Sequence, residues 1–150
     1  MSENDALSVV EDLIATCKDG QKGFQEAASH VKRLDLKTFF NEVSLERSRF
    51  AGELQAELPR LGESDKKDKG TVAGTLHRAW IDTKLGLGGG DKTILEWLES
   101  GEDTAKERYA KALSKPLPSN ITEIARRQAT RIQEVHDKVK TLRDTAEVAA

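Results

Sequence analysis

Five side chains in this sequence are candidates to hold a divalent cation together: the carboxylates of Glu46, Glu53 and Glu102 and the imidazoles of His77 and His136. Carboxylates bridge cations and imidazoles complete a coordination sphere, so a fold that brought them together would make a metal centre. Spacing alone does not do so. In Glu134-Val135-His136 the acid is two places from the imidazole, and on a helix the two diverge. Glu26 and His30 have the better four-residue spacing but lie off the main apolar seam. His77 and His136 can meet each other and Glu53 only if a segment between the second and third long helices crosses the bundle.

A second set of polar residues competes for the same space. Leu7, Val10, Ile14, Cys17, Phe24, Ala28 and Val31 keep alternating steps of three and four, with the step between Cys17 and Phe24 assigned to Gln21. Glu46 and Arg47 interrupt the seam between Val43 and Phe50, Glu102 does so between Leu98 and Ala105, and Gln128 between Ala125 and Ile132. The reading is a helical bundle with a polar core of Gln21, Glu46, Arg47, Glu102 and Gln128, joined at its edge by Arg131. Bundle proteins hold metals and cofactors at such a level. An arginine there is permanently cationic, repels a metal ion and pairs with carboxylates. No metal and no cofactor is therefore favoured, with iron or another divalent metal on Glu46, Glu53, Glu102, His77 and His136 as the alternative.

Other chemistry is poorly represented. The sequence has no Gly-x-Ser-x-Gly, Cys-x-x-Cys or His-Glu-x-x-His, and no catalytic residue is assigned. Gly88-Gly89-Gly90 lacks the preceding strand and the Lys-Ser/Thr of a phosphate loop and reads as a helix terminator. The single cysteine, Cys17, lies on an apolar seam and reads as a buried structural thiol.

Composition bounds the class. A chain of 150 residues fits one domain, 1–150, that buries its core without disulfides. With 33% charged residues and only three prolines, an all-helical soluble protein is expected. The 24 basic and 26 acidic residues nearly balance, which argues against a nucleic-acid surface. No stretch reaches the roughly 20 apolar residues of a spanning helix, and Met1-Ser2-Glu3-Asn4-Asp5 has no signal character, so a cytoplasmic location away from membranes is expected.

Four long helices position these residues. The first runs from Asn4 or Asp5 to His30 or Val31, with Gly20 and Gly23 inside it where a neighbouring backbone or a bulky side chain approaches closely. The second starts with Asp35 as its cap and ends at Pro59 and Gly62; the third is capped by Asp91 and ends at Ser114–Pro118; the fourth is capped by Ser119 or Asn120. A short helix from Gly70 or Thr71 to Leu87, with Trp80 on its inner side, occupies the link of about 28 residues before Asp91. It would span roughly 25 Å at 1.5 Å per residue, enough to cross the bundle and leave the second and third long helices parallel.

The segments Asp19-Gly20-Gln21-Lys22-Gly23-Phe24, Arg49-Phe50-Ala51-Gly52-Glu53-Leu54-Gln55, Leu76-His77-Arg78-Ala79-Trp80, Gly101-Glu102-Asp103 and His136-Asp137 resemble the ferritin-like superfamily, and within it a bacterial group of four-helix-bundle proteins of unknown function. The resemblance implies an all-α ferritin-like four-helix bundle with one crossover connection carrying a short fifth helix. Its di-iron members use a Glu from each of two helices and Glu-x-x-His from each of the other two. Here Glu46 is followed three places later by Arg49, and Gln128 by Arg131, while the remaining helices offer Gln21 and Glu102. The expected protein is a non-enzymatic bundle whose metal centre has become a polar core. It would act through protein contacts, with another protein or as a dimer, and the resemblance adds a role in stress response. The alternative is a metal-binding or peroxide-handling protein with a changed site.

Overall fold

The computed structural model describes residues 3–62 and 90–146. Four helices make up the bundle: α1 (Glu3–His30), α2 (Leu34–Gln55), α3 (Asp91–Leu113) and α4 (Ser119–Thr145), with a 3-10 turn at Leu58–Leu61 after α2. The short helix expected at 70–87, with His77 and Trp80, lies outside the described residues.

Cross-helix bonds give the directions. Asp91 at the start of α3 reaches Lys32 and Arg33 just past the end of α1, whereas Tyr109 and Arg108 near its end meet Cys17 and Thr16. Thus α3 is antiparallel to α1, as is α2 by their short connection, and α2 and α3 run parallel. Along α4, Asn120 meets Glu57, Arg127 meets Glu53 and Arg131 meets Glu46, so α4 is antiparallel to α2. Each helix is flanked by two antiparallel neighbours.

Three caps differ from the sequence reading, each for a tertiary reason. The N-cap of α2 is Arg33, not Asp35, because Asp35 instead takes the Arg33 guanidinium. Asp91 is the first residue inside α3, after Gly90. Its carboxylate accepts the Lys32 and Arg33 main-chain N–H groups at 2.8 and 3.1 Å, satisfying amides of the α1–α2 turn. At α4 the cap is Pro118, whose carbonyl accepts from Ile121 and Thr122, and the Asn120 amide donates to Glu57. The α-helical part of α2 also stops at Gln55, and the chain from Leu58 tightens into the 3-10 turn that ends at Gly62 with a left-handed φ of 77°.

Buried apolar residues form two clusters, one at each end of the bundle. The first gathers Val10, Leu13, Ile14, Leu54, Tyr109, Ile121 and Ala125; the second gathers Phe24, Phe40, Val43, Leu95, Leu98, Val135 and Val139 around an edge-to-face Phe24–Phe40 pair at 5.9 Å. Gly23 has the bulky neighbour its position implied, since a Cβ there would lie 3.2 Å from the Trp97 ring. Because Asp91 joins α3 to the far hairpin through two charge-assisted bonds, Asp91→Ala is expected to lower stability by about 1–3 kcal/mol, read by urea unfolding.

Candidate functional site

The polar level between the two clusters takes one seam position from each helix: Gly20, Arg47, Glu102 and Gln128. On α2 the seam steps from Val43 to Arg47 to Phe50, so Arg47 turns fully inward, 1% exposed. Glu102 on α3 is 2% exposed and meets it with both oxygens, Nη1 donating to Oε1 at 2.7 Å and Nη2 to Oε2. Burial disfavours the charged guanidinium, and the Glu102 carboxylate outweighs it, holding the Arg47 pKa above its ordinary value. The Phe24 ring lies 5.5 Å from the guanidinium carbon, so an aromatic face takes part of the lost solvation. Arg47 Nε is the buried side-chain polar atom without a hydrogen bond among the described residues. Gly20 makes the arrangement possible: a Cβ at this position would lie 2.9 Å from Arg47 Nη1.

A hydrogen-bond chain runs beside the ion pair through all four helices. Cys17 Sγ of α1 lies 2.9 Å from the Tyr109 hydroxyl of α3, which donates to Gln128 Oε1 of α4 at 2.7 Å. Since the phenol proton is committed to Gln128, the thiol donates to the phenol oxygen. The Gln128 amide then donates to the Phe50 carbonyl and to Glu53 Oε1 of α2, each at 3.2 Å, and Glu53 closes on Arg127. Arg127 bonding keeps Glu53 below the usual carboxylate range. Burial pushes the Cys17 thiol up to about 11, and burial together with the thiol raises Tyr109 well above its ordinary value. Both groups therefore stay protonated at neutral pH, and Cys17 behaves as a structural thiol.

The structure redistributes the residues singled out in the sequence. Arg47 and Glu102 meet at the waist, while the equally buried Gln128 joins the neighbouring chain through Tyr109, the Phe50 carbonyl and Glu53. Gln21 is half-buried rather than inward, because the step between Cys17 and Phe24 falls on Gly20; it contributes its main-chain carbonyl, which accepts from Ser44 at 2.8 Å. Glu46 sits at the margin, half-buried, with Arg131 Nε donating to it at 2.8 Å. Arg49 is exposed. The metal candidates do not converge: Glu46 is taken by Arg131, Glu53 by Arg127, Glu102 by Arg47, and His77 lies outside the described residues. His30 bonds through Nδ1 to the Glu26 carbonyl at 2.9 Å. A donor set in which every waist carboxylate already holds a guanidinium does not fit a pair of divalent cations.

Two features escaped the sequence reading. Tyr109 is not among the residues singled out in the sequence, yet a buried phenol needs a partner, and its level with Cys17 and Gln128 is the signal that marks the chain. His136, singled out in the sequence with His77 and Glu53, has partners that were not: it meets Asp103 through Nε2 at 2.8 Å and Asp137 through Nδ1 at 3.0 Å, with Glu99 close by. Glu99 and Asp103 have four-residue spacing on α3, which marks them as one face.

The Cys17 shift has a definite sign. A thiol whose folded pKa lies above its unfolded value stabilises the fold fully below pH 9, and that contribution is lost as pH rises from 9.0 through about 11. Wild type should lose roughly 3 kcal/mol more than Cys17→Ala across this window in urea titrations, and thiolate absorbance at 240 nm should rise near pH 11 rather than 9.

Among known proteins, no curated protein matches the chain. A family model does, over residues 5–115, and its description is "Domain of unknown function (DUF2383)". That span takes in α1, α2 and α3 entire except the first residues of α1, with Arg47, Glu102 and the Cys17–Tyr109 contact inside it. The chain belongs to this family, the domain of unknown function DUF2383.

Proposed function

We propose that this protein is a ferritin-like bundle in which the di-metal centre has given way to a polar core, that it is not an enzyme, and that it acts in the bacterial cytoplasm through protein contacts in stress physiology. The observation that carries the reading is the fully buried Arg47, bidentate on Glu102 where a metal-binding bundle would present free carboxylates. A guanidinium in that place fills the position, neutralises the acid and repels divalent cations. The ferritin-like lineage rests on the sequence resemblance, and the parallel α2 and α3 agree with one crossover between them. Protein contact is supported by the outer face of α2, where Leu34 and Leu45 are 76% and 63% exposed. They stand 11 residues apart, three turns along one stripe. Among the described residues, no helix is long and apolar enough to cross a membrane.

The test is anaerobic Fe(II) loading, desalting and elemental analysis of a chain carrying Asp103→Asn, which leaves the waist intact and alters the His136 cluster. The expected protein retains no iron and consumes no peroxide. Near-stoichiometric iron that disappears on Glu102→Gln would return a metal to the waist and overturn the reading.

A further inference from the structure

We propose that Glu99 and Asp103 of α3 and His136 of α4 form a binding site for a divalent first-row transition cation, with Zn2+ as the fitting probe. One oxygen from each acid and one ring nitrogen lie within 4.8 Å of one another. The site is separate from the waist pair: Asp103 follows Glu102 in sequence, but its side chain is 55% exposed on the α3–α4 side of the bundle.

The imidazole carries the case. His136 is buried, and both of its ring nitrogens face carboxylate oxygens, Nε2 at 2.8 Å from Asp103 and Nδ1 at 3.0 Å from Asp137. A neutral imidazole has one N–H and one lone pair, so it satisfies one carboxylate and turns a lone pair on the other. At 2.8 Å Nε2 and Asp103 share a hydrogen bond, and a metal ion with ligand distances of about 2 Å would take its place once the more than half-exposed Asp103 side chain swings outward. Asp137 stands where a carboxylate orients a ligating imidazole through its other nitrogen. One imidazole nitrogen and two carboxylate oxygens suit Zn2+ with water in the fourth position, whereas Mg2+ and Ca2+ prefer all-oxygen sets.

Arg143 regulates access. Its Nη1 is 2.5 Å from Glu99 Oε1 and its Nη2 is 2.8 Å from Asp144, so a guanidinium competes with the cation for Glu99 and has a second carboxylate to move to.

The experiment is calorimetric titration of the full chain with Zn2+ in a background of His30→Gln and His77→Gln, which leaves His136 as the remaining imidazole of the three in the sequence. One saturable site is expected. Asp103→Asn and His136→Gln should each weaken it by about tenfold or more, Asp137→Asn by about tenfold, and Arg143→Gln should strengthen it severalfold. Asp103 is more than half exposed, so Asp103→Asn keeps the fold, and helicity measured alongside verifies this for each variant. Absence of saturable binding in the background chain, or binding that Asp103→Asn and His136→Gln leave unchanged, would overturn the site.

Discussion

A guanidinium held at the centre of a helical bundle has to find a carboxylate at bonding distance, because an unpaired charge in that environment costs several kcal/mol. Arg47 and Glu102 meet this demand across the diagonal between two parallel helices, and much of the surrounding structure follows from it. The planar fork needs room beside α1, which Gly20 provides by having no Cβ to clash with it. It needs a neighbour tolerant of positive charge, and the Phe24 ring is in place. The apolar core divides into two clusters on either side of this level. A lysine could not do the same work, since a single ammonium cannot engage both carboxylate oxygens in a fixed plane.

The chain from Cys17 through Tyr109 and Gln128 to Glu53 complements the pair. Each of its four members comes from a different helix, so a slip of any one helix by a turn would leave buried donors and acceptors unmatched. Buried polar networks of this kind add little net stability and are sensitive to register. Beside this chain the carboxylates of Glu46, Glu53 and Glu102 each hold a guanidinium, from Arg131, Arg127 and Arg47. On the α3–α4 surface His136 has carboxylates on both sides, Asp103 and Asp137, and the neighbouring Glu99 holds Arg143.

The four long helices, their approximate limits and the apolar seams could be read from the sequence, because period and breakers such as Pro59, Gly62 and Pro116 are local signals. The existence of a polar level was readable too, from interruptions recurring at matching heights. The occupant of each interruption was less so. Between Cys17 and Phe24 a heptad permits either Gly20 or Gln21, and between Val43 and Phe50 either Glu46 or Arg47; both choices keep steps of three and four. Helix rotation decides between them, and that depends on neighbours distant in sequence: it is Gly20 that faces the Arg47 guanidinium, where a Cβ would lie 2.9 Å from Nη1. Asp91 shows the same limit at a helix end, where a good local cap is drawn away by two amides on another hairpin.

The most direct test of the central claim is a double-mutant cycle at Arg47 and Glu102, followed by chemical denaturation. If the pair is the constraint around which the bundle is arranged, Glu102→Leu alone strands the guanidinium and costs about 3–5 kcal/mol, whereas Arg47→Met with Glu102→Leu recovers most of that loss. Equal and additive costs for the two single substitutions, with no recovery in the double variant, would mean that the two side chains act independently and would contradict the account.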